Sequence, residues 1–137
     1  MEFKDVLTMY FERGLALQTF WNFYITVAVG ILAFIGVIPS SRSDKLVASI
    51  LTLGFALFAV VNLSGMIGVS NQRMELQSLL MEDGALKQES YPRPAHLSRV
   101  RATLNAPSLG SLVSFHLLVD VLMVSSIWII PTLRRSV

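Results

Sequence analysis

The sequence predicts an all-α membrane protein: three transmembrane helices preceded by an N-terminal amphipathic helix, with a partly helical cytoplasmic loop between the second and third helices. Three observations lead there. First, only 15% of the 137 residues are charged while 53% are hydrophobic, against about 25% charged in a soluble domain. Second, charge is absent from Gly14 to Ser41 and from Leu46 to Gln72, and Asp120 is the one formal charge between Ala102 and Leu133. Each of these runs exceeds the roughly 20 residues needed to cross a bilayer core as a helix. Third, the mean hydropathy of the whole chain is +0.61. A chain of this size is one three-helix unit with no room for a separate soluble core.

Residues 2–17 form the amphipathic helix. Phe3, Val6, Leu7, Tyr10, Phe11 and Leu17 share one side at 100° per residue, with Asp5, Thr8 and Glu12 opposite. Such a helix either lies in the membrane interface or extends the first span into the cytosol and packs on another subunit. Gly14 is the expected bend between the two segments. The long, acidic N-terminal region does not suit a cleaved signal peptide, so the first apolar run is expected to be retained.

The first span is placed at 19–38, ending at Pro39. Trp21 and Tyr24 suit an interfacial aromatic belt, Asn22 falls near the same interface, and Gly30, Ala33 and Gly36 offer a flank where another helix can come close. The short segment from Pro39 to Lys45 forces an antiparallel hairpin, with Ser43 or Asp44 as a cap for the second helix. That helix is placed at 45–69 and continues out of the bilayer to about residue 83. It carries a period-four ridge of mostly small residues, Ala48, Thr52, Ala56, Val60, Ser64 and Gly68, and one strongly polar residue well inside the span, Asn62. Beyond it, Leu76, Leu79 and Leu80 share a side, and Gly84 stops the helix.

Residues 84–105 read as a linker, with Pro92 and Pro94 as punctuation. It ends in a short basic amphipathic piece whose Arg99 and Arg101 are candidates for contact with lipid headgroups or a partner. Asn105, before Ala106-Pro107, is the expected cap of the third span at 107–131, which ends at Pro131 after Trp128. Lys4, Arg13, Arg73, Lys87, Arg93, Arg99 and Arg101 fall on one side of the membrane and Arg42, Lys45, Arg134 and Arg135 on the other. The bias places the N-terminus in the cytoplasm and the C-terminus outside, in a bacterial inner (plasma) membrane.

Function centres on the third span. His116 and Asp120 are four residues apart and therefore face one side of a helix. Asp120 lies about 15 Å along it, near the middle of a core about 30 Å thick. A charge there costs about 2.5–3.5 kcal/mol on insertion scales. That cost falls if Asp120 is protonated, if it pairs with a charged His116, or if it faces a polar partner inside an assembly. The candidate polar site is Asp120 and His116 with Asn62, serving either a proton- or cation-responsive pathway or a polar clasp between helices. There is no Cys, and no Walker loop, Rossmann glycine pattern, HExxH or GxSxG motif. The chain is therefore not expected to be an enzyme, to hold a metal or cofactor, or to bind nucleic acid. The partners expected are the lipid bilayer and further copies of the chain, or the other subunits of a membrane complex. The leading expectation is a small oligomeric channel- or pore-forming protein. The alternative is a non-conducting anchor or scaffold that recruits a soluble partner through the cytoplasmic loop.

Overall fold

A computed structural model describes residues 3–37, 44–82, 104 and 107–134, and all three elements in it are helices. They are α1 (Phe3–Val37), α2 (Asp44–Glu82) and α3 (Leu109–Arg134). Each contains a stretch long and apolar enough to cross a membrane. The described architecture is thus all-helical, and its three apolar helices are compatible with an integral membrane protein. The outward surface agrees: Leu15, Phe23, Val29, Leu57, Val61 and Val121 are all more than half exposed, far more apolar surface than a soluble monomer presents.

The helices meet along four stacked clusters. Val6 and Tyr10 pack with Leu76, Leu80 and Leu104. Leu17 packs with Met66 and Leu112. Tyr24 and Ala28 pack with Phe55, Ala59 and Met123, and Ile35 with Ala48 and Ile127. Rising numbers on α1 meet falling numbers on α2 and rising numbers on α3. α2 therefore runs antiparallel to the other two, as the short connection after Pro39 demands. The clusters do not all draw on the same force. Between helices in lipid, packing gains come from van der Waals contact rather than from removal of water. The first cluster lies beyond the apolar runs, where burial from water adds about 25 cal/mol per Å².

Several sequence expectations change here. No break separates an amphipathic helix from the first span: α1 is continuous through Gly14. A Cβ on Gly14 would lie 3.6 Å from the Arg73 guanidinium, an ordinary contact. Of the two readings of residues 2–17, the packing one fits better: Val6, Tyr10 and Leu17 are buried, and Val6 and Tyr10 pack on the extension of α2. Mutual burial of two apolar stripes substitutes for immersion in headgroups. Leu76 and Leu80 supply the facing stripe, whereas Leu79 is 45% exposed.

The period-four ridge on α2 follows its packing face only at the start, at Ala48 and Thr52. The buried positions are Ala48, Phe55, Ala59, Asn62, Met66 and Ser70, mostly three and four apart. A strict four-residue step advances about 40° more than a full turn, so the ridge winds outward. Ala56, Val60, Ser64 and Gly68 are exposed. α3 starts at Leu109, with Ser108 as its cap: Ser108 Oγ accepts from the Ser111 amide at 3.2 Å. Asn105 lies outside the described residues, as do the linker from residue 84 up to Leu104, Arg99 and Arg101. The helix also runs through Pro131 to Arg134. The ring removes one hydrogen bond in the last turn, where Thr132 Oγ1 donates to the Ile129 carbonyl at 2.6 Å.

Candidate functional site

Polar side chains from all three helices converge beside the third cluster. Tyr24 on α1 donates its hydroxyl to Asp120 Oδ1 at 2.6 Å. On α3, His116 Nδ1 lies 2.9 Å from Asp120 Oδ2, the one-turn pairing their spacing dictates. On α2, Asn62 Nδ2 lies 3.4 Å from His116 Nε2 and donates to Met66 Sδ at 3.3 Å. The result is one connected chain, Tyr24–Asp120–His116–Asn62–Met66, with at least one member on every helix.

The proton positions follow from donor and acceptor capacity. An amide nitrogen only donates, so His116 Nε2 must accept from Asn62. The ring proton is then on Nδ1, where it donates to Asp120. Asp120 receives one donor on each oxygen, and a carboxylate has about four acceptor positions. Both hydrogens of the Asn62 amide nitrogen are engaged, one by His116 and one by Met66.

Aromatic rings wall the chain. The Tyr24 ring lies 4.5 Å from the His116 ring, Trp21 lies 5.8 Å from it on another side, and Phe58 stacks on Tyr24 at 17°. Tyr24, Asn62 and His116 are 1%, 3% and 0% exposed. Asp120 differs, because 19% of its side chain is exposed. Its opening is a groove of about 180 Å³ between α2 and α3, bounded by Phe55, Ala59, Val60, Leu63, Leu117 and Val124. Asp120 is its one charged wall. Among the described residues, no three His, Cys, Asp or Glu side chains come together as metal ligands would.

All three candidate residues expected from the sequence, Asp120, His116 and Asn62, are thus brought together. Tyr24 was missed. Its position near the start of the first span suggested an interfacial aromatic, yet it is buried and bonded to the mid-span acid. The span boundaries gave no signal for it, because they put Tyr24 near the interface and Asp120 near mid-core; only the contact itself brings the two to one level. Two features at the other end also escaped the sequence. Arg73 stacks over the Tyr10 ring at 4.5 Å, and Tyr10 donates its hydroxyl to the Leu104 carbonyl at 2.7 Å.

Comparison with protein-family models, characterised proteins and solved structures finds no match to this chain. What is defined is therefore a class: the described residues form three apolar helices compatible with an integral membrane protein, with a hydrogen-bonded polar chain between them.

Proposed function

We infer that the chain is a small oligomeric integral membrane protein that forms a channel or pore, with Asp120 and His116 as its mid-membrane polar site and Asn62 as their support. One observation carries this proposal. Asp120 is the member of the relay that opens to the outside, through a groove whose other walls are apolar. A carboxylate facing acyl chains is costly, so the groove calls for a polar or aqueous neighbour, and assembly supplies one. The inner (plasma) membrane suits helical spans, and the distribution of Lys and Arg supports a cytoplasmic N-terminus and an external C-terminus. A reporter fused at Val137 that works only in the cytoplasm would reverse that orientation.

The test of conduction is ion flux from purified protein in liposomes, wild type against Asp120→Asn. The expected result is flux in the wild type that changes in size or in pH response in the variant. Absence of flux under all ionic conditions, or identical behaviour of the two proteins, would defeat it.

A second reading is favoured by a different observation. Tyr24, His116 and Asn62 satisfy one another and Asp120 within a single chain, which is what a clasp between helices requires. On this reading the protein is a non-conducting anchor or scaffold, and the segment from Gln72 to Ala106 recruits a soluble partner. Purification in mild detergent separates the two: a stoichiometric soluble partner supports the anchor, and a pure homo-oligomer supports the channel.

A further inference from the structure

The outer face of α1 carries a polar side chain that has no partner among the described residues. Asn22 lies two residues before Tyr24, so it points about 160° away from it and sits about 3 Å nearer the cytoplasmic end. Its side chain is exposed, and no hydrogen bond from its amide is found among the described residues. Tyr24 touches Asp120, so Asn22 lies within a few ångströms of the depth of Asp120, well inside the apolar run and not at its edge. An amide in hydrocarbon without a partner is costly.

Two unfilled surfaces accompany it. On α1, Asn22, Thr26 and Gly30 form an exposed ridge one turn apart. A Cβ on Gly30 would meet nothing within 4 Å, and the Thr26 hydroxyl is already bonded to the Asn22 carbonyl at 2.8 Å. On α2, Ala56, Val60, Ser64 and Gly68 face outward, and Ala56 and Val60 line the groove that ends on Asp120. Small residues are what allow helices to approach closely in lipid. Neither ridge is used for that within the chain.

We propose that the α1 ridge of a second copy docks in the groove between α2 and α3, with its Asn22 donating to Asp120. Rotation about the membrane normal preserves depth, so partners in a cyclic assembly must lie at equal depth, as Asn22 and Asp120 nearly do. Donor and acceptor are complementary: Asn22 brings two amide hydrogens, and the carboxylate has acceptor positions beyond those taken by Tyr24 and His116. The contact is head-to-tail, because the ridge and the groove are different surfaces of the same chain. Such a contact excludes a two-fold dimer, and where its rotation closes it builds a ring. Each Asp120 then faces an interface between copies. This inference rests on the homo-oligomer part of the proposed function and not on conduction.

The chain has no Cys, which makes the test direct. Two differently tagged full-length chains, one Asn22→Cys and one Leu117→Cys, are co-expressed and oxidised in native membranes. The expected product is the mixed disulfide dimer, since a disulfide needs Cβ atoms about 4 Å apart. Val60→Cys in place of Leu117→Cys repeats the test on the opposite wall. Asn22→Leu should weaken self-association about tenfold in a dilution measurement by energy transfer between labelled copies. If the wild type runs as an oligomer but neither mixed product forms, or Asn22→Cys links only to itself, the docking is overturned while the oligomer stands. A wild type that is monomeric throughout would overturn both.

Discussion

Replacing Tyr24 with Phe removes one oxygen from the end of the relay and leaves the ring packing in place. The hydroxyl lies 2.6 Å from Asp120 Oδ1, and Asp120 keeps only His116 as a protein partner when it is lost. A hydrogen bond to a charged group contributes about 1.5–3 kcal/mol in soluble proteins. In bilayers the average polar contact is worth about 0.6 and the largest about 1.7 kcal/mol. A short bond to a half-buried carboxyl group belongs at the upper end of the membrane range. We expect Tyr24→Phe to cost about 1.5 kcal/mol, roughly a tenfold shift in the unfolding equilibrium. The assay is reversible unfolding in mixed micelles, followed by the fluorescence of Trp21, whose ring lies 5.8 Å from His116. A double-mutant cycle with Asp120→Ala isolates the bond: in that background Tyr24→Phe should cost nothing further. A single-variant effect below about 0.3 kcal/mol, or an equal cost in both backgrounds, would refute the inference that the phenol holds the acid.

Asn62→Leu removes the donor to His116 Nε2 and leaves that nitrogen buried without a partner, so it should destabilise by about 1–2 kcal/mol in the same assay. Gly65→Ala would bring a Cβ within 2.6 Å of the Phe20 ring edge. Because the far end of that half-buried ring can give way, the expected cost is about 1 kcal/mol, relieved by Phe20→Leu. Gly68→Ala, with nothing within 4 Å, should be neutral. Tyr10→Phe loses the bond to the Leu104 carbonyl but keeps the ring beneath Arg73. It should cost about 1 kcal/mol and raise amide hydrogen exchange around Leu104 relative to wild type.

Hydropathy and charge clustering made the three helices and their antiparallel order legible, because in lipid the backbone must satisfy itself within each helix. The polar site was legible for a related reason: a deep Asp, a His one turn away and an Asn on a neighbouring span each require partners, and few were on offer. What escaped depended on rotation about the helix axis. The α2 ridge of small residues was evident as a pattern, but a step of four residues drifts steadily around the helix, and only contact with α1 and α3 fixes which part faces inward. Tyr24 and Asn22 illustrate the same limit. Both sit at one depth, and the sequence assigned both to the interface. Their roles separate only once Tyr24 is known to turn toward α3, which leaves Asn22 on the far side. The continuity of α1 through Gly14 was also hidden, since a glycine reads as a bend until a partner such as Arg73 packs across it.

The path of the relay decides where any conduction could occur. From Asp120 it runs one turn along α3 to His116, then through Asn62 to Met66, always toward the N-terminal end of α1. There it meets the cluster of Leu17, Met66 and Leu112. In the other direction Asp120 is followed by Met123, with Ile35, Ala48 and Ile127 beyond. Among the described residues, the apolar members of these clusters flank the relay at both ends, with the buried Ser70 one turn beyond Met66. Among the described residues, the relay opens at Asp120, sideways into the groove between α2 and α3. Conduction and clasp thus make opposite demands on one surface. If the groove is dry and filled by apolar side chains, the relay is a helix clasp and nothing more. If a second copy brings Asn22 or water to it, Asp120 becomes the point where an interface between copies communicates with the titratable core of each.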